Sequence, residues 1–515
     1  MNTKPHGEAR ERPVIVGIGA SAGGVHALQA FFEALPVDTG AAFVVVVHLD
    51  PGSHSQLSSI LATRTRMPVV QVEGTQELRA NHVYVIAPAR RLHISDREIS
   101  SEEYDEPRGR RAPIDLFFRS LAEQHTDGFA VILTGAGSDG AVGVRAVKEA
   151  GGIILVQDPS EADYPSMPRA AIETGIADFI LPVHELGTCL AELLHKKDSI
   201  PDLDEGNFDE DMVRRILAHE RVRTGHDFSK YKRSTILRRI ARRMQITKTD
   251  DLSGYYNFLR ENNEEADALL GDLLISVTTF FRDGDAFDSL KDNVIPRLFE
   301  GKEPSEPIRV WVAGCATGEE AYSLGILLLE EASRHDIRPP LQLFGSDLDT
   351  KALAIARDGI YPAAIEADVN EERLRRFFAR EGDRYRVRRE VRDTVVFAVH
   401  DLLKDPPFSR IDLISCRNVL IYLDRELQQQ ICSTFHYSLN PYGYLLLGSA
   451  ETAESPPGLF RMTDRKARIY QAMPQPEGKP RLMPRLLGSV GHTEQRPHVQ
   501  GAPLSPRAVL SEAAL

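Results

Sequence analysis

Cysteine is scarce in this chain of 515 residues: four, Cys189, Cys315, Cys416 and Cys432, with no C-x-x-C pair among them. That scatter excludes a disulfide framework and a cysteine zinc site, and it fits a reducing compartment. The sixteen histidines form no H-E-x-x-H motif, so no metal is expected. No apolar run approaches the ~20 residues needed to span a bilayer. Met1 to Arg12 is polar and is followed by only a strand-length apolar stretch, so no signal peptide is expected and the predicted location is cytoplasmic. Positive charge is not in excess: the net charge is -13, which disfavours bulk binding to nucleic acid or to anionic membranes. Repeats of 20–50 residues are absent. The length predicts two to four domains with ample core.

Against these absences the stretch Gly19-Ala20-Ser21-Ala22-Gly23 stands out. It follows apolar Val14-Ile15-Val16 and precedes a helix from Val25, a strand-turn-helix G-x-S-x-G pattern that can expose a serine hydroxyl on a tight turn. Gly17, Gly19 and Ala22 fit the dinucleotide fingerprint G-x-G-x-x-A as well. Phe43 to Val47 reads as a buried parallel strand. It ends in His48, with Asp50 further along the loop, and not in the acidic residue a dinucleotide site requires. Ala130 to Leu133 is another strand, running into the glycine-rich turn Thr134 to Gly140 that carries Asp139. Ser21, His48 and Asp139 thus each follow a strand, and a doubly wound sheet can bring strand ends to one edge. A hydroxyl nucleophile needs an adjacent base, and the base needs an orienting group. Taken singly, the same residues are a turn serine, a capping histidine and a turn aspartate.

The first ~195 residues resemble the catalytic domain of chemotaxis receptor methylesterases of the CheB type. The shared stretches are Gly17 to Gly24, His48, Val83-Tyr84-Val85-Ile86-Ala87-Pro88, Pro113 to Phe118, Leu133 to Gly140 and Met167-Pro168-Arg169. The resemblance implies a Rossmann-like fold and hydrolysis of glutamate methyl esters on receptor helices, with glutamine deamidation as a related activity. It makes Ser21 the nucleophile, His48 the general base and Asp139 the orienting carboxylate. Ala22 stands where the family often has threonine, and Ala136 where it often has methionine. The family's usual receiver domain is not expected ahead of Val14.

Composition shifts mark the organisation. Lys196 to Asn207 reads as a polar linker, 208–287 as a helical domain, Pro304 to Pro307 as a further boundary, and everything after Ala472 as a disordered tail. Ser95 to Arg111 is charge-dense and is expected to be a mobile loop.

A second site lies beyond Ile308. The strand Ile308 to Ala313 runs into Gly314-Cys315-Ala316-Thr317-Gly318-Glu319-Glu320 and then a helix from Ala321 to Glu331. The next strand, Leu341 to Gly345, ends at Ser346-Asp347. A carboxylate there can take the ribose hydroxyls of a nucleoside cofactor, or it can cap a helix over Leu348 to Arg357. Carboxylates at Glu319 and Glu320 would repel a pyrophosphate, which favours S-adenosylmethionine over NAD. A later strand, from Ile411, ends in polar Arg417-Asn418.

Residues 205–473 resemble chemotaxis receptor glutamate methyltransferases of the CheR type. The motifs are Thr278-Thr279-Phe280-Phe281-Arg282, Ala316 to Ser323, Ser346 to Thr350 and Cys416 to Tyr422. The resemblance implies a class I methyltransferase sheet and an S-adenosylmethionine site lined by Thr278, Arg282, Glu319, Asp347, Asp401, Leu402, Arg417 and Asn418. Ser276 stands in place of a frequent asparagine. The resemblance also implies a small β-subdomain at about 359–397, aligned with Tyr385 to Phe397, that can grip a receptor tail. A glutamate carboxylate is already ionised at neutral pH, so methylating it needs no general base.

Lys230 to Met244 is basic in an acidic chain, with Ile236, Leu237, Ile240 and Met244 on one helical face. The arginines opposite are either a solvated face or a dock for acidic receptor helices, in which case charge reversal at Arg238 and Arg242 weakens receptor binding. The expected architecture is two doubly wound α/β domains, 12–195 and 288–473, joined through the helical domain. The expected function is methylation of receptor glutamates and hydrolysis of the resulting esters. The expected partners are chemoreceptor helices and a separate receiver-domain or kinase protein, with neither nucleic acid nor membrane insertion. The alternatives are a signalling scaffold with one or both sites idle and, from the glycine turns, a nucleotide-dependent oxidoreductase.

Overall fold

The computed structural model describes residues 12–48, 55–104, 112–199, 209–336 and 338–474. Asp50, most of the expected linker and the expected tail beyond 474 lie outside the described residues. The first unit begins β1 (Val14–Ala20), α1 (Gly24–Ala34), β2 (Ala41–Val47), α2 (Leu57–Ala62), β3 (Val69–Val72), β4 (Gln76–Glu77), β5 (His82–Ile86), β6 (Arg90–Ser95) and β7 (Glu98–Glu103). It continues α3 (Pro113–Gln124), β8 (Phe129–Ile132), α4 (Gly143–Ala150), β9 (Ile153–Gln157), α5 (Ser166–Glu173), β10 (Phe179–Leu181) and α6 (Val183–Ser199). Seven strands form one sheet in the order β10-β9-β8-β1-β2-β5-β3, every pairing parallel.

A parallel sheet covered on both faces wants apolar residues at successive positions. Val16, Ile18, Phe43 and Val45 pack under α1 and α6, while Ile15, Val44 and Val46 pack under α3. Gly17 and Gly19 serve this packing. A Cβ at Gly17 would come within 2.7 Å of Phe118, and one at Gly19 within 2.5 Å of Ile114. Both glycines lie inside β1 and pack against α3, not in the phosphate-facing turn that a dinucleotide fingerprint requires.

The expected mobile loop is corrected. Arg90 to Ser95 and Glu98 to Glu103 form an antiparallel hairpin that also pairs with β4. Its charges pair across the strands, Arg91 with Glu102 at 3.1 Å, and Ile94 and Ile99 are buried. The 105–111 part lies outside the described residues. The expected linker also starts too early, because α6 runs through Lys196 and Lys197, whose ammonium groups pair with Asp250 and Asp127.

Four helices follow: α7 (Glu210–Thr224), α8 (Arg233–Ile246), α9 (Leu252–Glu261) and α10 (Asn263–Leu274). Ile216, Ile240, Met244, Tyr255 and Leu269 form their core. The apolar face expected on α8 is there, but two arginines of its basic face are buried inside the chain. Arg239 and Arg242 are 1% and 3% exposed. Arg239 donates to the main-chain carbonyls of Lys148 and Glu149 at the end of α4. Arg242 donates to the Gly152 carbonyl and pairs with Asp178 and Asp272. Docking of receptor helices on Lys230–Met244 is thus corrected for Arg242, which the Gly152 carbonyl and two buried aspartates already hold, whereas Arg238 is only half-buried.

Glu220 on α7 is fully buried, and neither carboxylate oxygen has a hydrogen-bond partner among the described residues. Burial, helped by the charges of Asp267 and Glu265, pushes its carboxyl up to about 8. The folded chain then binds a proton that the unfolded chain releases near pH 4.3. Stability falls as pH rises through that window, and the penalty is complete above it. Glu220→Gln should therefore raise the melting temperature by a margin that grows between about pH 5 and about pH 8.5. An equal gain at both values would mean that Glu220 does not titrate there.

The last unit contains α11 (Gly284–Asn293), α12 (Ile295–Phe299), β11 (Ile308–Ala313), α13 (Glu319–Ala332), β12 (Leu341–Asp347), α14 (Thr350–Asp358) and β13 (Ile360–Pro362). Then come α15 (Glu371–Phe377), β14 (Phe378–Glu381), β15 (Arg384–Val387), α16 (Arg389–Arg392) and β16 (Val395–Val399). It closes with β17 (Ile411–Cys416), α17 (Arg425–Ser438), β18 (Leu439–Leu447), β19 (Phe460–Asp464) and β20 (Ile469–Ala472). The sheet order is β16-β12-β11-β17-β18-β20-β19, parallel except for the pairings of β20. Phe280, Phe287, Leu298 and Phe299 share a core with Val310 and Leu343, so Pro304 to Pro307 is a loop inside this unit and not a boundary. A small antiparallel sheet, β13-β15-β14, ends at Val387. Val395 to Val399 pairs with β12 in the main sheet, so the expected subdomain stops short of 397. No helix among the described residues is long and apolar enough to cross a membrane.

Candidate active sites

The two sites lie at the C-terminal ends of the two sheets. In the first, β1 delivers Ser21, β2 delivers His48, and the turn after β8 delivers Asp139. The Ser21 hydroxyl is 3.1 Å from His48 Nδ1, and His48 Nε2 is 3.0 Å from Asp139 Oδ2. The residues expected to converge from three strand ends do so. Ser21 is held by its main chain, whose N–H donates to the Thr134 carbonyl at 3.0 Å. Gly135 is required beside it: a Cβ there would lie 2.8 Å from Ser21 Cβ and 2.5 Å from Met167 Sδ. That contact also gives the Met167-Pro168-Arg169 stretch its place in the site.

The buried Asp139 carboxylate accepts the main-chain N–H groups of Ile114 and Asp115, at 3.0 and 2.9 Å, as well as facing His48. It therefore ties the first turn of α3 to the catalytic edge. Asp115 lies beside it; burial and the Asp139 charge push its carboxyl well above the usual range. Its Oδ1 accepts the Gly143 N–H at 2.6 Å, which joins α3 to α4.

In the second site Asp347 ends β12 and faces a cavity. Its Oδ2 accepts the Ala316 N–H at 2.8 Å and its Oδ1 the Asp349 N–H at 2.9 Å. Burial pushes its carboxyl up, against the pull of those N–H groups. The helix cap is Asp349, whose side chain accepts the N–H groups of Lys351 and Ala352. Asp347 thus clamps the glycine turn and keeps acceptor capacity toward the cavity. Gly314 and Gly318 in that turn have φ of +75° and +94°, and a Cβ on Gly314 would lie 2.4 Å from Val419.

Thr278, Arg282, Asp347, Asp401, Leu402, Arg417 and Asn418 all line this cavity. Glu319 does not. It is buried on the other side of the turn, accepting from Thr317 at 2.6 Å and pairing with Arg145 at 2.9 Å. Glu320 takes the cavity side, bonded to Ser415 at 2.6 Å and Arg417 at 3.2 Å.

Sequence reasoning missed several residues. Glu451, buried, accepts the N–H groups of Asn418, Val419, Ile421 and Gly448 and so shapes the loop after β17. His400 lines the cavity, and Glu149 reaches it from the first unit. Asn418 Oδ1 and His400 Nδ1 are buried without hydrogen-bond partners among the described residues. Two orphaned acceptors beside a carboxylate fit a ligand rich in N–H and O–H donors, as the ribose, adenine and amino groups of S-adenosylmethionine are.

Comparison with known proteins places each sheet in a family-matched region. The CheB methylesterase family profile matches residues 16–190. The CheR methyltransferase all-alpha domain matches 212–274 and its SAM binding domain matches 276–469. A chemotaxis protein methyltransferase of Listeria innocua is 34% identical over 233 residues, 45% of this chain and 86% of that protein. An uncharacterized 104.1 kDa protein of Rhodobacter capsulatus is 36% identical over 444 residues, 81% of this chain. The chain spans 46% of the length of that relative. The CheB methylesterase catalytic domain of Thermotoga maritima is 31% identical, with 98% of it and 35% of this chain covered at a TM-score of 0.33.

Proposed function

The chain belongs to the chemotaxis protein methyltransferase family and carries a CheB methylesterase domain ahead of its methyltransferase, and from that premise we propose that it both methylates glutamate side chains of chemoreceptors and hydrolyses the esters formed. The observation that carries the reading is that one chain holds a Ser21–His48–Asp139 relay and, separately, a cavity lined by the Asp347 carboxylate in which Asn418 and His400 present unfilled acceptors.

In hydrolysis, Ser21 Oγ attacks the ester carbonyl as His48 Nδ1 takes its proton. His48 Nε2–H stays on Asp139, which fixes the ring. The leaving methoxide takes the proton from His48, and water repeats the sequence on the acyl serine. The tetrahedral oxyanion forms beside the N-terminus of α1, whose positive dipole end favours negative charge. Glutamine deamidation is the same acyl transfer with ammonia leaving.

In methylation, S-adenosylmethionine supplies a methyl group already activated by the sulfonium. The chain's residues bind and orient: Asp347 takes the ribose hydroxyls, Asn418 and His400 accept from cofactor donors, and Arg282 and Arg417 hold carboxylates. Thr278, Asp401 and Leu402 shape the wall. Glu319 acts indirectly, through Thr317 in the turn. Orientation of this kind can supply ~7–11 kcal/mol.

The test is incubation of the chain with methyl-labelled S-adenosylmethionine and a chemoreceptor cytoplasmic fragment. Label should enter the receptor as base-labile ester and then leave as methanol. Label that enters and never leaves would rule out the hydrolytic half, and no entry would rule out the transferase. Asp347→Ala should lower S-adenosylhomocysteine affinity by roughly 10- to 100-fold in calorimetry, the loss of a buried charge-assisted hydrogen bond. Affinity within twofold of wild type would reduce Asp347 to a clamp on the turn.

A further inference from the structure

Glu149 belongs to the first unit yet lines the cavity of the last. It stands in the final turn of α4, where the negative end of the helix dipole disfavours a carboxylate. Its two oxygens lie 2.9 and 3.0 Å from Arg282 Nη2. The position is built, not incidental. Arg239 holds the main-chain carbonyls of Lys148 and Glu149, and Arg145, one turn earlier, donates to the Thr278 carbonyl at 3.1 Å. Helix α4 is thus fastened along the rim of the cavity with one carboxylate pointing in.

Arg282 is the residue on which a ligand carboxylate would sit, in a site whose acceptor is a glutamate side chain and whose cofactor ends in an amino acid. We propose that Glu149 occupies a ligand-carboxylate subsite on Arg282, so that α4 of the esterase unit competes with a transferase ligand and must withdraw for that ligand to bind fully. The inference rests on the methyltransferase reading of the cavity. It has a functional consequence: the esterase unit restrains the transferase with which it would otherwise run a futile cycle. The same helix is joined through Gly143 to Asp115, next to the esterase's Asp139.

The test uses the full chain and two variants, Glu149→Ala and Glu149→Gln, the second keeping shape and one acceptor in case the first does not fold. Three probes separate the sources of the carboxylate. S-adenosylhomocysteine carries the amino-acid carboxylate, methylthioadenosine is the same nucleoside without it, and a labelled receptor-helix peptide carries glutamates. If the cofactor carboxylate competes, S-adenosylhomocysteine should bind about tenfold more tightly in calorimetry, equivalent to ~1.4 kcal/mol, with methylthioadenosine unchanged. If the acceptor competes, both nucleosides should bind as in wild type and peptide affinity, read by fluorescence anisotropy with S-adenosylhomocysteine present, should rise about tenfold. Equal or weaker binding of every probe by folded variants overturns the inference and leaves Glu149 an interdomain tie. Failure of wild type and variants alike to bind either nucleoside overturns the methyltransferase reading and the inference with it.

Discussion

Ser21→Ala is expected to slow ester hydrolysis by on the order of a millionfold while leaving methyl transfer intact. The hydroxyl is aligned with His48 at 3.1 Å, and the histidine in turn with Asp139 at 3.0 Å, so the three act as one unit. Alanine removes only the nucleophile. The contact that holds residue 21 in place is its main-chain N–H to the Thr134 carbonyl, and that survives the change. Asp139→Ala would be a poorer test, because the Asp139 oxygens also hold the Ile114 and Asp115 N–H groups and the start of α3 would loosen. The measurement is methanol release from receptor methylated beforehand, alongside a methyl-transfer assay on the same preparation. Hydrolysis within tenfold of wild type would place the nucleophile elsewhere. Loss of both activities together would mean that the variant fails to fold.

The two catalytic edges were legible because strand, glycine turn and polar residue follow one another locally in the chain. Ser21 and His48 sit one step beyond apolar strands, Asp347 ends one and Asp139 lies in the turn that follows one, and a parallel sheet collects such positions on one edge. What was not legible is rotational or long-range. Glu319 and Glu320 are neighbours about 100° apart around a helix. Only one can face the cavity, and nothing in the order of letters says which. Asp347 and Asp349 are two residues apart in one motif, yet one clamps the glycine turn and the other caps α14. The basic face of α8 had the right chemistry for an acidic partner, but the partner is the chain itself. Arg242 meets a carbonyl 90 positions away and carboxylates at Asp178 and Asp272. The charge of Ser95 to Glu103 read as mobility because cross-strand pairing is invisible until the hairpin is drawn.

The same burial that took α8 out of solvent makes Arg242 the residue whose loss should cost most stability. Its guanidinium is 3% exposed and bridges Asp178 of the first unit to Asp272 of the helical unit while its Nε holds the Gly152 carbonyl. Burial alone would raise the Asp272 carboxyl. The charges of Arg242, Lys148 and Arg243 outweigh it and hold that carboxyl below the usual range. Arg242→Ala leaves two buried carboxylates sharing Lys148, which lies 3.1 Å from Asp178 and 2.9 Å from Asp272, with Arg243 3.7 Å from Asp272 as the remaining cation. Breaking one side of a buried pair costs roughly 3–5 kcal/mol. That loss should appear as a lower denaturation midpoint and as earlier proteolysis between the first and helical units. Arg242→Lys should recover only part of it, because a single ammonium cannot fork between two carboxylates and a carbonyl. The sign with pH follows from the depressed carboxyl. The contribution is complete above the unfolded carboxylate value of about 3.9 and is lost as pH falls below it. The wild-type advantage over Arg242→Ala should therefore be full at neutral pH and shrink in acid. Added salt should change it little, since a buried pair is screened far less than a surface one. A midpoint for Arg242→Ala equal to wild type at neutral pH would return α8 to a solvated face and would reopen it as a surface for receptor helices.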